Sequence, residues 1–376
     1  MVINIASFGG RTHMLDTARE LEKHGHVVRF YSYVPTKRAI KLGLKKECSY
    51  SIFYWVLPFL ALFKFFGFGG WRSYLYYRFC DLFLAYYMKP CDIFIGQSPM
   101  HNYSIRYFKK KYNAITILER GISHVLEYHS IISKITGKPS QSQRFINWDL
   151  NGYIHPDYIS VGAEHVKDSF TQKGYPDNKI FVNNYGFNSI YFHSTSLDNS
   201  KNIYDLIFVG NWSIRKGSKL ITEYCKKHPN IKFIHVGAIS DISFPTDVPN
   251  MTHIDSVQEY QLISYYSKSR VFILPSYLEG LALVQTQAAA CGLPIICSKQ
   301  SGGRDLWKYT KSKEWIIELE ELSLKEIEKA VNKALLLSNT QKGKRNYLTD
   351  KFQEASWTGY GNRYNEFIQI INNHLP

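Results

Sequence analysis

The chain is predicted to be an α/β protein of two doubly wound domains, each a parallel sheet flanked by helices. Three observations carry this. A strand, a glycine turn, a helix and a second strand follow one another from the first residues. The same alternation restarts after a polar stretch at 193–202. The chain has 376 residues, more than one hydrophobic core usually serves. The expected division is 1–190, completed by 356–376, and 203–355.

In the first βαβ unit, VINIASF is apolar and β-prone, GGR breaks it, and Met14, Leu15, Ala18 and Leu21 recur at helical spacing before the strand HVVRFYS. Gly9 and Gly10 thus stand between strand and helix, where backbone N–H groups and the helix dipole favour an anion. The opening MVINIASFGG reads as a strand rather than a secretory signal.

Residues 51–88 differ: the run is crowded with aromatics and punctuated by Lys64, Arg72 and Arg78. A membrane-spanning helix needs about 20 uninterrupted apolar residues, and Pro58, Lys64 and the glycines at 67–70 interrupt this one. An amphipathic segment lying on a membrane surface fits better. The plainer alternative is a helix pair buried in the first domain. Beyond it, CDIFIGQ, NAITILERG, DYISVG and KIFVNNYG read as strands, with a helix over EHVKDSFTQKGY. The second domain repeats the pattern: IYDLIFVG, IKFIHVG, RVFILPS and LPIICSK are strands, and a helix starts near Val284. Two such domains in series form a cleft, and open α/β sheets bind ligands at the carboxyl ends of their strands.

The formal net charge of +15 suits a phosphorylated substrate or an anionic lipid surface. Nucleic acid is the weakest candidate partner, because no zinc-finger spacing, RNP-like aromatic motif or basic recognition helix is present. The six cysteines are scattered, without a C-x-x-C pair or a nearby His at ligand spacing, so reduced thiols of a cytoplasmic protein are expected and no metal site.

Three groups converge on the strand ends of the second domain. VGNWSIRKG offers Arg215 and Lys216, LPSYLEG offers Glu279, and SGGRDL supplies another glycine turn. Cations and a helix N-terminus suit a diphosphate, while a carboxylate and the carboxamide of Gln287 suit sugar hydroxyls.

In EGLALVQTQAAACGLP, seven residues separate Glu279 from Gln287, and Ala-x-Ala-x-Gly-x-Pro-like small residues follow. This stretch resembles the nucleotide-sugar motif of the retaining glycosyltransferases of family 4, which have the GT-B fold of two facing Rossmann-like domains. FVGNWSIRKG resembles that family's Gly-Arg-x-x-x-x-Lys-Gly loop, IASFGGRTHMLDTARELEKHGHVV its N-terminal glycine loop, and SWTGYGNRYNEFI the C-terminal helix that crosses back onto the first domain. The resemblance places Glu279 by the donor sugar and Gln287 at the ribose. It puts the backbone of Gly280, Leu281, Ala282 and Leu283 at the sugar and diphosphate. Gly9, Gly10 and Gly210 are the glycine turns of the donor site.

Two departures matter. Gln287 replaces a carboxylate, so bidentate charge-assisted bonding to a diol is lost. Asn211 stands where the family has an arginine, with Arg215 as the nearest replacement. The family's first-domain histidine is displaced too, and Arg120 and His124 of LERGISH are expected to face the cleft in its stead. The resemblance implies retention of configuration without a metal or other cofactor. It implies front-face attack, with the leaving phosphate oxygen able to take the acceptor's proton. A nucleotide diphosphate sugar is the implied donor. The implied acceptor is a growing glycan or an undecaprenyl-diphosphate-linked one, in bacterial O-antigen, capsule or related polysaccharide synthesis. With the anionic membrane surface as a partner, the expected place is the inner face of the cell membrane. The alternatives are a soluble enzyme making a small glycoside, a sugar-nucleotide epimerase, and a non-catalytic subunit with a decayed donor site.

Overall fold

The computed structural model describes residues 1–7, 12–67, 70–196, 204–341 and 344–373. Gly9 and Gly10 lie outside the described residues. The first sheet holds β1 (Val2–Ser7), β2 (Val27–Ser32), β3 (Ser49–Ser51), β4 (Ile93–Gln97), β5 (Ile115–Arg120), β6 (Tyr158–Val161) and β7 (Ile180–Val182). The second holds β8 (Tyr204–Val209), β9 (Phe233–Val236), β10 (Met251–Ile254), β11 (Ser269–Leu274), β12 (Ile295–Ser298) and β13 (Ile316–Leu319). Their orders are β3-β2-β1-β4-β5-β6-β7 and β10-β9-β8-β11-β12-β13, and all pairings are parallel.

The strands are apolar because helices cover both faces of each sheet. Ile3, Ile5, Phe94, Ile95, Ile117 and Leu118 are buried in one core, and Leu206, Phe208, Val271, Phe272, Ile295 and Ile296 in the other. The helix Trp357–Asn373 sends Tyr360, Tyr364 and Ile368 into the first core. Its Tyr360 hydroxyl lies 2.8 Å from Thr17 on the helix His13–Lys23, and Gly361 leaves no room for a β-carbon beside Glu20.

Each sheet reverses its direction of winding at one point. In the first, the chain runs from β1 to β2 on one side and later returns to β4 on the other. In the second, the same reversal separates β8 from β11. Crevices at such points, beyond the carboxyl ends of the strands, are where open sheets take ligands.

The aromatic run at 51–88 forms two helices, Phe53–Phe66 and Gly70–Tyr87. One side of the pair enters the first core through Val56, Tyr76, Cys80 and Leu84. The other side leaves Tyr54, Trp55, Phe65, Phe66 and Tyr86 exposed. The pair is thus packed into the first domain on one side, as the plainer reading expects, and leaves an aromatic face exposed on the other. Among the described residues no helix is long and apolar enough to cross a membrane.

Candidate donor site between the two sheets

The loop after β8 turns at Gly210, whose φ of +132° strongly favours glycine, and at Gly217, where a β-carbon would overlap the Pro275 carbonyl. These contacts press the β8 loop onto the loop after β11. Trp212 anchors it from behind through its buried ring and an N–H bond of 2.7 Å to the Ala238 carbonyl. Asn211 is exposed on the loop. His235 on β9 holds the turn itself, with Nε2 2.7 Å from the Gly210 carbonyl and Nδ1 2.8 Å from Nδ1 of His253 on β10. Burial keeps the His235 imidazole down at about 4, so it supports the turn as a neutral ring.

The result is a tight ionic cluster at the β8/β11 reversal point. Glu279 Oε1 lies 2.9 Å from Arg215 Nη1 and 3.1 Å from Lys216 Nζ, with Ser276 Oγ at 3.2 Å. Burial alone would raise the Glu279 carboxyl, but Lys216 and Arg215 outweigh it and hold the group below its ordinary value. Two cations share one carboxylate, so the cluster keeps a net positive charge for an incoming anion.

Glu279 belongs to the loop that leads into the helix Leu283–Ala290. Its own N–H donates to the Gln300 carbonyl at 2.7 Å, and that of Ala282 to the Ser301 carbonyl at 3.4 Å. Among the described residues the N–H groups of Gly280, Leu281 and Leu283 have no partner, and the helix has no side-chain cap. Three of the four amides assigned to the donor from sequence are thus available at a helix N-terminus.

The seam between the domains is closely fitted here. A β-carbon on Gly280 would overlap the Gly121 carbonyl, and His165 of the first domain donates from Nε2 to the Glu279 carbonyl at 3.0 Å. Beside it, Asp305 accepts from the Glu164 N–H at 3.0 Å and from Asn184 Nδ2 at 2.7 Å. Glu279 is therefore at the floor of the cleft, not on an outer surface.

Gln287 sits about one turn into its helix, buried, and its amide points to different partners. The Tyr266 hydroxyl donates to Oε1 at 3.4 Å, and Nε2 donates to Glu259 Oε1 at 3.3 Å. The small residues after it serve packing: Ala288, Ala289 and Cys291 are fully buried, and Gly292 at φ +81° abuts Arg345. The neighbouring Glu259 changes one expectation. From sequence alone, Gln287→Glu restores a familiar pattern and keeps or tightens nucleotide binding. In the structure it would set two carboxylates about 3.3 Å apart. Nucleotide affinity of Gln287→Glu should fall several-fold at pH 7.5 and recover toward pH 5, as titration calorimetry at the two pH values would show.

Arg120 and His124 do not face the cleft. Consecutive residues of a strand point to opposite faces, and at the end of β5 Glu119 takes the side of His13 and Tyr185 while Arg120 takes the other. The Arg120 guanidinium is turned inward, donating to Asp149 at 2.8 Å, Ser98 Oγ at 3.0 Å and the Ile122 and Ser123 carbonyls, both at 3.0 Å. His124 is the N-cap of the helix Val125–Thr136, accepting from the Leu126 N–H at 3.3 Å. Its ring lies among Tyr153, Phe170 and Tyr175, and burial holds it down at about 4.

In their place the first domain presents a cluster that sequence reading missed. His13 Nε2 lies 3.0 Å from Glu119 Oε1, and the His13 ring stacks on Tyr185 at 4.1 Å. At the β1/β4 reversal point, Ser7 Oγ donates to Gln97 Oε1 at 2.6 Å and lies 2.9 Å from Thr12 Oγ1. The only sequence signal for this cluster was the polar residues at the ends of β1, β4 and β5.

Comparison with known proteins agrees with this geometry. Residues 192–350 match the family model described as Glycosyl transferases group 1. The capsular polysaccharide biosynthesis glycosyltransferase CapM of Staphylococcus aureus is 26% identical over 239 residues, covering 57% of this chain. The chain spans 62% of that relative's length. Among solved structures, sucrose-phosphate synthase from Thermosynechococcus elongatus superimposes with a TM-score of 0.68 at 13% identity, covering 100% of both chains. The Anabaena protein HepE, solved in complex with UDP, gives 0.63 at 11% identity, covering 98% of this chain and 100% of that one. These likenesses establish the GT-B architecture of two facing parallel sheets. Within it, residues 192–350, which carry the Arg215–Lys216–Glu279 cluster and the helix behind it, form a Glycosyl transferases group 1 domain.

Proposed function

We propose that this chain is a glycosyltransferase of family 4 that moves a sugar from a nucleotide diphosphate sugar to a lipid-linked or growing glycan acceptor. The observation that carries this reading is the cluster of Arg215, Lys216 and Glu279 beside free amides at a helix N-terminus, on the seam between two sheets. HepE, a structural neighbour, is solved with UDP, which supports a nucleotide sugar as donor. CapM is named for capsular polysaccharide biosynthesis, which supports a surface glycan as product.

In this reading the diphosphate lies over Lys216, Arg215 and the amides of Gly280, Leu281 and Leu283. Those groups are fixed before the donor arrives, so they stabilise the charge that grows on the leaving phosphate without reorganising. Glu279, kept ionised by its two cations, accepts hydrogen bonds from the sugar hydroxyls and favours positive charge at the anomeric carbon. Attack from the same face retains configuration. Charge neutralisation is assigned to the side chains and amides, with no metal or other cofactor required. The intact cluster speaks against a decayed subunit.

A thermal-shift screen across UDP-, GDP-, dTDP- and ADP-sugars tests the proposal. One donor class should raise the melting temperature by several degrees at millimolar ligand. No shift with any of them would remove the donor assignment.

The acceptor side rests on the exposed apolar helix pair. Between residues 51 and 90 the single acidic residue is Asp81, and it is buried, capping the helix Asn102–Tyr112 through the Tyr103 and Ser104 N–H groups. The exposed Tyr54, Trp55, Phe65 and Phe66 are therefore accompanied by Lys64, Arg72, Arg78 and Lys89 alone. Aromatic rings prefer the headgroup region, and each basic side chain near an anionic leaflet contributes about 1 kcal/mol. This face would hold the enzyme on the cytoplasmic leaflet beside an undecaprenyl-diphosphate-linked acceptor. The protein should co-sediment with anionic liposomes at low salt and be released at high salt. Making Lys64, Arg72 and Arg78 all Glu should weaken binding at least tenfold. A protein that stays in the supernatant would favour a soluble acceptor and a small glycoside product.

A further inference from the structure

We infer that Glu259 is the ribose-binding carboxylate of the donor site. Held by Gln287, it accepts the 2′ and 3′ hydroxyls and makes the site select ribonucleoside over deoxyribonucleoside diphosphates. The inference deepens the transferase reading above and rests on it.

The place of the ribose follows from that of the phosphates. Glu279 is sealed against the first domain by His165 and Gly121, so the sugar end of the donor lies on that side. The nucleoside end then leaves the amides of Gly280, Leu281 and Leu283 the other way, over the second domain alone. Gln287 stands one helical turn, about 6 Å, beyond Leu283 and on the same helix face. Glu259 meets it from another element. It opens the turn Glu259–Gln261 that follows β10, on the carboxyl side of the second sheet where the ionic cluster also lies.

The amide of Gln287 is turned away from the diol. Its Oε1 accepts from the hydroxyl of the fully buried Tyr266 at 3.4 Å, so its acceptor atom is directed inward. Its Nε2 donates to Glu259 Oε1 at 3.3 Å. Gln287 is itself buried and Glu259 only half-buried, so the carboxylate is the more accessible of the pair. A vicinal diol brings two donors. A carboxylate answers with two oxygens and about four lone-pair sites, of which the bond from Gln287 takes one.

The turn that carries Glu259 is shaped before any ligand arrives. Gln258 and Gln261 cap it reciprocally, with the Gln258 N–H donating to Gln261 Oε1 at 2.9 Å and the Gln261 N–H to the Gln258 carbonyl at 2.9 Å. The carboxylate absent at position 287 is thus supplied from 28 residues earlier, and Gln287 becomes its holder. An amide suits that role, because a carboxylate at both positions would repel.

Calorimetry on the full-length protein tests this with the nucleoside diphosphate of the sugar selected by the screen and with its 2′-deoxy counterpart. Wild type should prefer the ribonucleotide about tenfold or more, since a site built to bond a hydroxyl rejects the analogue that lacks it. Glu259→Gln should lower ribonucleotide affinity about tenfold and deoxyribonucleotide affinity much less, so that the preference shrinks to about twofold. Combining Glu259→Gln with Gln287→Glu keeps one carboxylate beside one amide and still offers Tyr266 an acceptor. That exchange should restore affinity and preference to within about threefold of wild type, although each single variant binds more weakly. Unchanged affinity and preference in Glu259→Gln would overturn the inference and leave the donor site standing. So would a wild type without the preference, an equal loss for both ligands in Glu259→Gln, an exchanged protein no better than the single variants, or selection of a dTDP-sugar alone. A wild-type protein that binds no nucleoside diphosphate would instead overturn the transferase reading, and this inference with it.

Discussion

Lys216→Glu should abolish donor binding. In the wild-type protein Lys216 Nζ lies 3.1 Å from Glu279 Oε1, and the pair is only slightly exposed. Reversal would remove a phosphate partner and set a second carboxylate against Glu279, turning a net positive cluster into a net negative one. Charge-assisted bonds to phosphate are among the strongest single contacts in a site, and burial screens the repulsion poorly. The expected loss in nucleotide affinity is about 1,000-fold, with Lys216→Gln intermediate. Calorimetry with the bare nucleoside diphosphate measures it. Affinity unchanged in Lys216→Glu would sink the donor assignment.

The second large effect belongs to Glu279. Sequence alone suggests that Glu279→Ala slows turnover and spares stability. The structure alters half of that, because removal leaves Arg215 and Lys216 side by side without a counter-charge. A loss of about 1–3 kcal/mol is expected in Glu279→Ala, which makes Glu279→Gln the cleaner probe. That variant should lower kcat at least 100-fold. Its affinity for the bare nucleoside diphosphate should hold or rise, since the two cations no longer share themselves with a carboxylate. A stability loss matched by a proportionate activity loss in Glu279→Gln would return Glu279 to a structural role at the start of its helix.

Much of the frame was legible in the sequence. Apolar β-prone runs ending in glycine read as buried parallel strands, because both faces of such a strand meet helices. The loops at 210–217 and 275–283 were legible for a related reason: their glycines and charges sit at fixed offsets from those strand ends. The first domain's site was not. Which face of β5 Arg120 takes depends on a single residue of strand phase, and the ion pair to Asp149 that draws it inward comes from a helix 29 residues further on. The pairing of His13 with Glu119 spans 106 residues, and no local pattern encodes it. Gln287 is a third case. Its position was legible, but its partner Glu259 belongs to a separate turn 28 residues earlier, and that partner decides what a substitution there would do.

A crystal structure with the nucleoside diphosphate selected by the screen tests the central claim most directly. The phosphates should lie within hydrogen-bond distance of Lys216 Nζ and of the amides at the start of the helix Leu283–Ala290. Phosphates bound away from the β8/β11 reversal point, with Lys216 still paired only to Glu279, would contradict it.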